Sequence, residues 1–266
     1  TYGIGQAIKL ALDRGIRQFV VGLGGSATND GGLGMFLALG AKMHNIQGEQ
    51  VGIYGKDLLH IHSIDLSELD PRLKQARFRI ASDVENPLYG ERGATHVFGP
   101  QKGATDKQIN MLDRAMKTYS HLLEKASKVN GSLIHATGAG AAGGLGFAFL
   151  QLKADMMSGA KLIAETIGLE DEIEHADLVL TGEGKSDAQT LYGKAPGFVA
   201  ALAKKYKVPV ILISGSISDS EGVLKRHFSE VYELLEENVT VERAMKEANM
   251  LLLKKVKAIL RRSYLW

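Results

Sequence analysis

The chain has 266 residues, 45% hydrophobic and 23% charged, a globular balance that excludes disordered, collagen-like and coiled-coil chains. Its 32 basic and 30 acidic side chains leave a formal charge of +2, which is too even for a nucleic-acid-binding stripe or a polybasic membrane arm. It contains no cysteine, which excludes disulfide scaffolds, thiolate metal sites and cysteine nucleophiles and fits a reducing cytoplasm.

Apolar periodicity in the first half of the chain predicts a helix, a strand at 19–21 and a glycine-rich loop that ends at Gly32. Residues 41–81 have the pattern of short strands and turns, and residues 83–104 that of a long loop. Thr105 and its capping partner three residues later then open a helix that runs to about residue 128.

In the second half of the chain, predicted strands and helices alternate more regularly than in the first half. A small-residue tract at 138–146 leads into a helix, and strands at 178–180, 208–213 and 231–234 then alternate with helices, the last of them from 240 to about 262. Strands that alternate with helices of ten or more residues predict an α/β fold with a parallel sheet and right-handed crossovers.

The first glycine loop, residues 22–32, lies between a strand and a helix. Its amides and the following helix start favour an anion, Ser26 and Thr28 offer hydroxyls, and Asp30 could accept a proton or bind Mg²⁺. The alternative is that this segment merely caps the helix. Gly22-x-Gly24-x-x-Ala27 also fits a relaxed dinucleotide fingerprint, but the acidic residue expected about 20 positions on is missing from Lys-Met-His-Asn at 42–45.

Two further motifs follow. Ser82-Asp83-Val84-Glu85-Asn86-Pro87-Leu88 begins where a strand ends, which places carboxylates for metal or proton chemistry, or else forms an Asx turn. Phe98-Gly99-Pro100-Gln101-Lys102-Gly103-Ala104 carries a lone lysine between glycines, and the alternative for Lys102 is a solvated side chain.

The run Thr181-Gly182-Glu183-Gly184-Lys185-Ser186-Asp187 is predicted to be a loop at the end of a strand. It ends like a Walker A loop, but Val179 stands where the opening glycine is required, so that match is rejected. What remains is two carboxylates and a lysine in one short segment.

The tract 138–146 could approach a phosphate or a neighbouring helix, and Ser214-Gly215 could contact a nucleotide. Together, these glycines, lysines and carboxylates are the groups that phosphoryl transfer requires.

These motifs, in this order, resemble the bacterial two-domain glycerate kinases along essentially the whole chain. The resemblance implies ATP- and Mg²⁺-dependent phosphorylation of glycerate in the cytoplasm. The expected partners are small molecules and neither nucleic acid nor a membrane, and a homo-oligomer is possible. Family members carry a long further segment upstream, so we expect this chain to lack that segment and its activity alone to be uncertain.

Each candidate residue takes a predicted role, drawn from the density of charged residues in these loops. The catalytic candidates are Asp187, Asp83, Lys185 and Lys194. The substrate-binding candidates are Ser26, Thr28, Asn29, Asp30, Asn86 and Lys102. The nucleotide-binding candidates are Gly24, Gly25, Gly182, Gly184, Ser214 and Gly215. The metal candidates are Glu183 and Asp187, with Lys185 and Lys194 stabilising the transferring phosphoryl group.

The expected architecture has two α/β lobes with the active-site cleft between them. Residues 1–40 together with 145–266 are predicted to form a parallel, Rossmann-like lobe, and residues 41–144 a second lobe. Two other functions stay open: an NAD-type oxidoreductase that uses the Gly22–Ala27 loop, and a non-catalytic nucleotide- or anion-binding module.

Overall fold

The computed structural model describes residues 1–129, 131–191, 193–235 and 240–263. The chain forms two compact units, Thr1–Gly159 and Ala160–Trp266. No helix in the described ranges is long and apolar enough to cross a membrane.

Unit 1 is built on a three-stranded parallel sheet. Its strands are β1 (Gln18–Gly22), β4 (Arg77–Ala81) and β5 (Asp155–Met157), and β4 lies in the middle. Gly22 pairs with Ala81, and Ala81 with Met157, so the three strands end level at their carboxyl edge. The loops that follow β1 and β4 therefore leave the sheet at the same edge.

Unit 1 also contains helices and a short antiparallel pair of strands. The pair is β2 (Lys42–His44) with β3 (Ser63–Asp65), and the helices are α1 (Tyr2–Asp13), α2 (Leu33–Ala38), α3 (Ala94–Phe98), α4 (Asp106–Ser127) and α5 (Ala141–Gln151). Short 3₁₀ helices span Gly55–His60, Pro71–Gln75 and Pro100–Lys102. The predicted capping box is present: the Thr105 hydroxyl accepts from the Gln108 amide, and the Gln108 side chain accepts from the Thr105 amide.

One apolar core holds unit 1 together. Phe78 of β4 stacks on Phe19 of β1 at 4.8 Å between ring centroids and contacts Phe149 of α5 at 5.6 Å. Phe78 and Phe149 are fully buried. The sheet and α5 therefore share one buried cluster, from which the loops at the sheet edge extend.

Unit 2 has a second parallel sheet in the order β6-β7-β8. The strands are β6 (Val179–Asp187), β7 (Val210–Ser218) and β8 (Glu230–Glu233). The helices are α6 (Gly159–Thr166), which starts at the unit boundary, α7 (Leu169–Glu174), α8 (Ala195–Tyr206), α9 (Val241–Lys246) and α10 (Ala248–Ser263), and short 3₁₀ turns span Ala188–Leu191 and Leu224–Arg226. β7 supplies much of the core, with Val210 and Leu212 in one cluster and Ile211 and Ile213 in another.

The predicted α/β class with parallel sheets is confirmed. The division of the chain differs from the predicted lobes, because β1 pairs with β4 and so keeps residues 1–40 with 41–159 rather than with the later strands. The predicted last helix is two helices, α9 and α10.

Candidate functional site

The first glycine loop is anchored by Asp30. This carboxylate is 2% exposed and accepts hydrogen bonds from the Gly32 amide (3.0 Å), the Gly34 amide (3.3 Å) and the Thr1 hydroxyl (2.7 Å). Both oxygens therefore hold the start of α2 in place. This geometry matches the helix-capping alternative and leaves Asp30 turned away from a ligand.

Lys102 reaches back from its 3₁₀ helix to the same loop. Its ammonium donates to the Ser26 hydroxyl (3.2 Å) and to the Thr28 carbonyl (2.7 Å). An ammonium has three donors, so these contacts leave one for a ligand. The Ser26 hydroxyl accepts from Lys102, which leaves its own proton to donate.

These residues line a cleft of about 390 Å³. Its lining is Leu23, Gly24, Gly25, Ser26, Ala27, Val84, Phe98, Gln101, Lys102 and Ala142. Lys102 is the one charged residue in that set. Burial lowers the pKa of Lys102, and the charge of Asp30 opposes this shift in part. A cation that is partly removed from water attracts an anion more strongly than a solvated one does, so the cleft is suited to a small anion.

The small-residue tract packs against the first loop. The Gly143 carbonyl accepts from the Gly31 amide at 2.9 Å, and the Thr28 hydroxyl donates to the Ala142 carbonyl at 3.1 Å. A methyl group at Gly143, where φ is +68°, would collide with the Thr28 carbonyl. The tract thus serves close backbone packing. Its partner here is a loop, whereas the sequence left a phosphate or a neighbouring helix open.

Two buried side chains that sequence reasoning missed also support the loop. Thr95 of α3 accepts from the Asn29 side-chain amide at 3.0 Å. Tyr119 of α4 donates to the Gly31 carbonyl at 3.2 Å, and burial together with the charge of Asp30 raises the pKa of its phenol. Their sequence surroundings carry no signal of this role. By contrast, Phe98 and Gln101 belong to the 98–104 motif, which does point to the cleft.

The second motif does not turn its polar side chains into the cleft. The exposed Asp83 accepts from the Gly159 amide at 3.0 Å, and Asn86 donates to the Arg92 carbonyl at 2.8 Å. Only Val84 of this segment lines the cleft. The structure therefore brings Gly24, Gly25, Ser26 and Thr28 together with Lys102, and leaves Asp83 and Asn86 outside that set.

In unit 2 the predicted loop at 181–187 is wrong, because β6 continues through it to Asp187. Gly182 pairs with Ile213, and Glu183 pairs with Ser214. Ser214 and Gly215 likewise lie within β7 rather than after it. The glycines in these segments allow close strand pairing. Because glycine is also typical of loops, the sequence alone predicted loops here.

Glu183 is the centre of a polar cluster in unit 2. Its Oε1 accepts from Ser186 (3.0 Å) and Thr190 (2.6 Å), and its Oε2 lies 3.4 Å from the ammonium of Lys194. Ser186 also lies 2.6 Å from Ser214, oxygen to oxygen. The cluster joins three of the predicted residues, Glu183, Lys194 and Ser214, but it occupies both Glu183 oxygens with protein donors.

Asp187 keeps more of its carboxylate available. Its Oδ1 accepts from the Gln189 amide at 2.8 Å, and among the described contacts Oδ2 has no hydrogen-bond partner. The described part of the chain contains no group of three or more His, Asp or Glu side chains that could hold a metal. Mg²⁺ usually takes one or two carboxylates together with phosphate oxygens and water, so Asp187 fits that ion better than Glu183 does. Lys185 is exposed on β6.

The parallel α/β sheets define the class of the protein as α/β, and the cleft brings together glycines, a serine and one lysine. Comparison with known proteins is more specific. The family model of the glycerate kinase family matches residues 1–264. The chain belongs to the glycerate kinase family.

Curated relatives agree with that family. The chain is 45% identical over 251 residues to a glycerate kinase of Bacillus subtilis (strain 168), covering 93% of this chain and 65% of that protein. It is 44% identical to a glycerate 2-kinase of Escherichia coli (strain K12), covering 92% and 65%. The chain thus spans slightly less than two thirds of the length of these relatives.

A solved structure supports the fold at a higher coverage. A protein of Salmonella typhimurium LT2, provisionally assigned as glycerate kinase 2, matches with a TM-score of 0.80 and 40% identity. The match covers 99% of this chain and 69% of that one. The predicted resemblance to the family and the predicted fold class are therefore both confirmed.

Proposed function

We propose that the whole protein transfers the terminal phosphoryl group of ATP to a hydroxyl of glycerate, in the cytoplasm and with Mg²⁺. The observation that carries the proposal is the Lys102 cleft: a small anion pocket lined by the first glycine loop, in a chain of the glycerate kinase family. Glycerate is a three-carbon acid, and a cleft of about 390 Å³ accommodates a molecule of that size.

Lys102 and Ser26 would bind the carboxylate of glycerate. The third donor of the Lys102 ammonium and the hydroxyl proton of Ser26 are each available for one carboxylate oxygen. The nucleotide-binding roles of Gly24 and Gly25, which line the same cleft, stay predictions. Two protein acceptors already fix the ammonium in place. Substrate binding therefore orders few additional groups, which favours a defined position of the acceptor hydroxyl.

The residues of β6 would act on the phosphates. Asp187, with one carboxylate oxygen available, is our choice for orienting the acceptor hydroxyl or for holding Mg²⁺, which when bound neutralises charge that develops on phosphate oxygens. The exposed Lys185 can contact a phosphate directly. Lys194 would first exchange its contact with Glu183 for one with the phosphate. The nucleotide roles of Gly182, Gly184, Ser214 and Gly215 and the base role of Asp83 stay predictions.

The name of the Escherichia coli relative favours phosphorylation at position 2. We propose to incubate the whole protein with Mg-ATP and D-glycerate, couple ADP formation to a spectroscopic readout, and read the product by phosphorus NMR. The expected product is 2-phosphoglycerate. Formation of the 3-phosphate would correct the position alone, and an absence of ADP release with any short hydroxy acid would contradict the kinase.

Ligand-induced stabilisation separates the kinase from the two other functions. Mg-ATP is expected to raise the melting temperature of the protein, because a ligand that binds only the folded state stabilises it in proportion to its occupancy. Stabilisation by NAD alone would favour the oxidoreductase. Stabilisation by ATP without turnover would favour a non-catalytic module.

A further inference from the structure

Unit 1 has a second concave region at the opposite edge of its sheet from the Lys102 cleft. Arg77, where β4 begins, and Asp155, where β5 begins, line a cavity of about 640 Å³. A second cavity of about 580 Å³ shares part of this lining, including Lys74 and Gln151. The two cavities together are named here the amino-edge groove. The Lys102 cleft lies beyond the carboxyl end of β1, so the two regions are separate.

Gln151 lies in the wall of this groove, and its unsatisfied amide nitrogen is covered by that wall. It is the last residue of α5, is 6% exposed and lines both cavities. Its Oε1 accepts from the Ser127 hydroxyl at 2.6 Å, whereas its Nε2 has no hydrogen-bond partner in the described part of the chain. A buried donor without an acceptor costs free energy, and a turn of this side chain toward a ligand oxygen would remove that cost.

The groove is also positively charged. Its cations are Lys74, Arg77, Lys128 and Lys153, and its carboxylates are Asp65 and Asp155. Within the described ranges, none of these four cations forms an ion pair or a side-chain hydrogen bond. In the alternative amide orientation of Gln151, with oxygen and nitrogen exchanged, the carbonyl oxygen would lack a partner instead of the nitrogen. The excess of cations in the groove nevertheless favours a ligand that carries hydrogen-bond acceptors.

Apolar side chains complete the walls. Leu69 and Leu152 line both cavities, and Phe78 lines the larger one. A ligand with a short apolar body would contact these side chains while its charged end meets the amide and the cations. This combination is typical of small-molecule sites, in which a mostly apolar lining carries a few placed polar groups.

We propose that the amino-edge groove binds a small organic anion, a carboxylate or a phosphate ester, distinct from the substrate of the Lys102 cleft. The bound anion draws the covered Nε2 of Gln151 toward the groove and accepts a hydrogen bond from it, and Lys74 and Lys153 balance the charge of the anion. The proposal rests on geometry of unit 1 alone and stands independently of the kinase activity.

NMR of the whole protein labelled with ¹⁵N-glutamine tests this site directly. The side-chain amide signal of Gln151, assigned by its loss in Gln151→Glu, is followed during titration with inorganic phosphate and, separately, with propanoate. We expect a saturable shift with at least one probe, and the stronger probe identifies the anion class. The same shift is expected in Lys102→Ala, in which the other cleft is disabled.

Charge variants provide the matched comparison. Lys74→Ala and Lys153→Ala remove exposed cations of the groove, and each is expected to weaken binding about two- to fivefold. Lys9→Ala, an exposed lysine of α1, is expected to change nothing. Gln151→Glu keeps an acceptor for Ser127 but replaces the donor with a carboxylate oxygen, and in the Lys102→Ala background it should lower the calorimetric affinity at least about tenfold.

Several outcomes would overturn the proposal. One is the absence of a saturable shift with either probe up to about 50 mM, a range that covers millimolar dissociation constants. Another is a shift that disappears in Lys102→Ala yet persists in Lys74→Ala and Lys153→Ala, since the anion would then bind in the Lys102 cleft. If Gln151→Glu fails to fold, the two lysine variants still decide the question by calorimetry, which needs no assigned signal.

Discussion

At the scale of single residues, Lys102 is the side chain on which the substrate proposal depends. Lys102→Ala removes a charge-assisted hydrogen bond of ~1.5–3 kcal/mol, so we expect the KM for glycerate to rise about ten- to hundredfold with kcat less affected. Steady-state kinetics of the whole protein measures this. Lys107→Ala, an exposed lysine five positions on, should behave as wild type. A rise confined to the KM for ATP would move Lys102 to the nucleotide.

The lowered pKa of Lys102 gives a pH dependence of known sign. As the pH rises through that lowered pKa, the cation is lost, so the KM for glycerate should increase at a lower pH than an ordinary lysine would allow. Lys102→Arg, which keeps its charge, should lack this alkaline increase. The pH dependence of folding stability has the opposite sign, because the unfolded chain binds the Lys102 proton more tightly than the folded chain does. Stability from this group therefore grows with pH between the lowered pKa and the ordinary one.

Asp187 is the corresponding residue for the phosphoryl step. In Asp187→Asn the amide oxygen still accepts from the Gln189 amide, so the local turn should persist while the charge is removed. We expect kcat to fall by about 10² or more if this carboxylate orients the hydroxyl or holds Mg²⁺. Asp177→Asn, an exposed aspartate just before β6, is the control. An unchanged kcat would remove Asp187 from the catalytic candidates.

At the scale of elements, the pairing of β6 with β7 explains why a glycine-rich segment is a strand. Gly182 lies so close to β7 that a methyl group on it would collide with the Ile213 carbonyl. A methyl group on Gly184 would instead extend into open space. Gly182→Ala should therefore cost about 1–3 kcal/mol of stability. Gly184→Ala should be neutral or stabilising by up to about 1 kcal/mol, because alanine restricts the unfolded chain.

Urea unfolding of the two glycine variants, followed by circular dichroism, measures that difference. Equal stabilities would mean that β6 does not approach β7 as closely at Gly182 as described. An activity loss in Gly184→Ala without any stability change would instead support the predicted nucleotide contact at that residue.

At the scale of the whole molecule, each unit has its own apolar core. Phe149→Ala in unit 1 truncates a fully buried ring that contacts Phe78 and should cost about 3–5 kcal/mol. Hydrogen exchange should become faster across residues 1–159. Val20→Ala, at a side chain of the same unit that is 61% exposed, should stay within about 0.5 kcal/mol of wild type. Acceleration spread evenly over both units would argue against two separate cores.

Local sequence patterns were sufficient to predict much of this architecture. Alternating strands and helices indicated parallel α/β sheets, the capping box at Thr105 marked the start of α4, and Lys102 stood out as a lone cation beside glycines. These features depend on residues a few positions apart, whose geometry is set by backbone preferences and side-chain periodicity.

Long-range contacts decided the remainder. Thr28 meets Ala142, 114 positions away, and Asp30 turns both oxygens to the amides of α2 instead of to a ligand. The segment 181–187 became a strand because β7 lies beside it, and β1 joined β4 rather than the later strands. A glycine run has the same local freedom in a loop and in a closely paired strand. Only the partner that packs against it selects one of the two conformations.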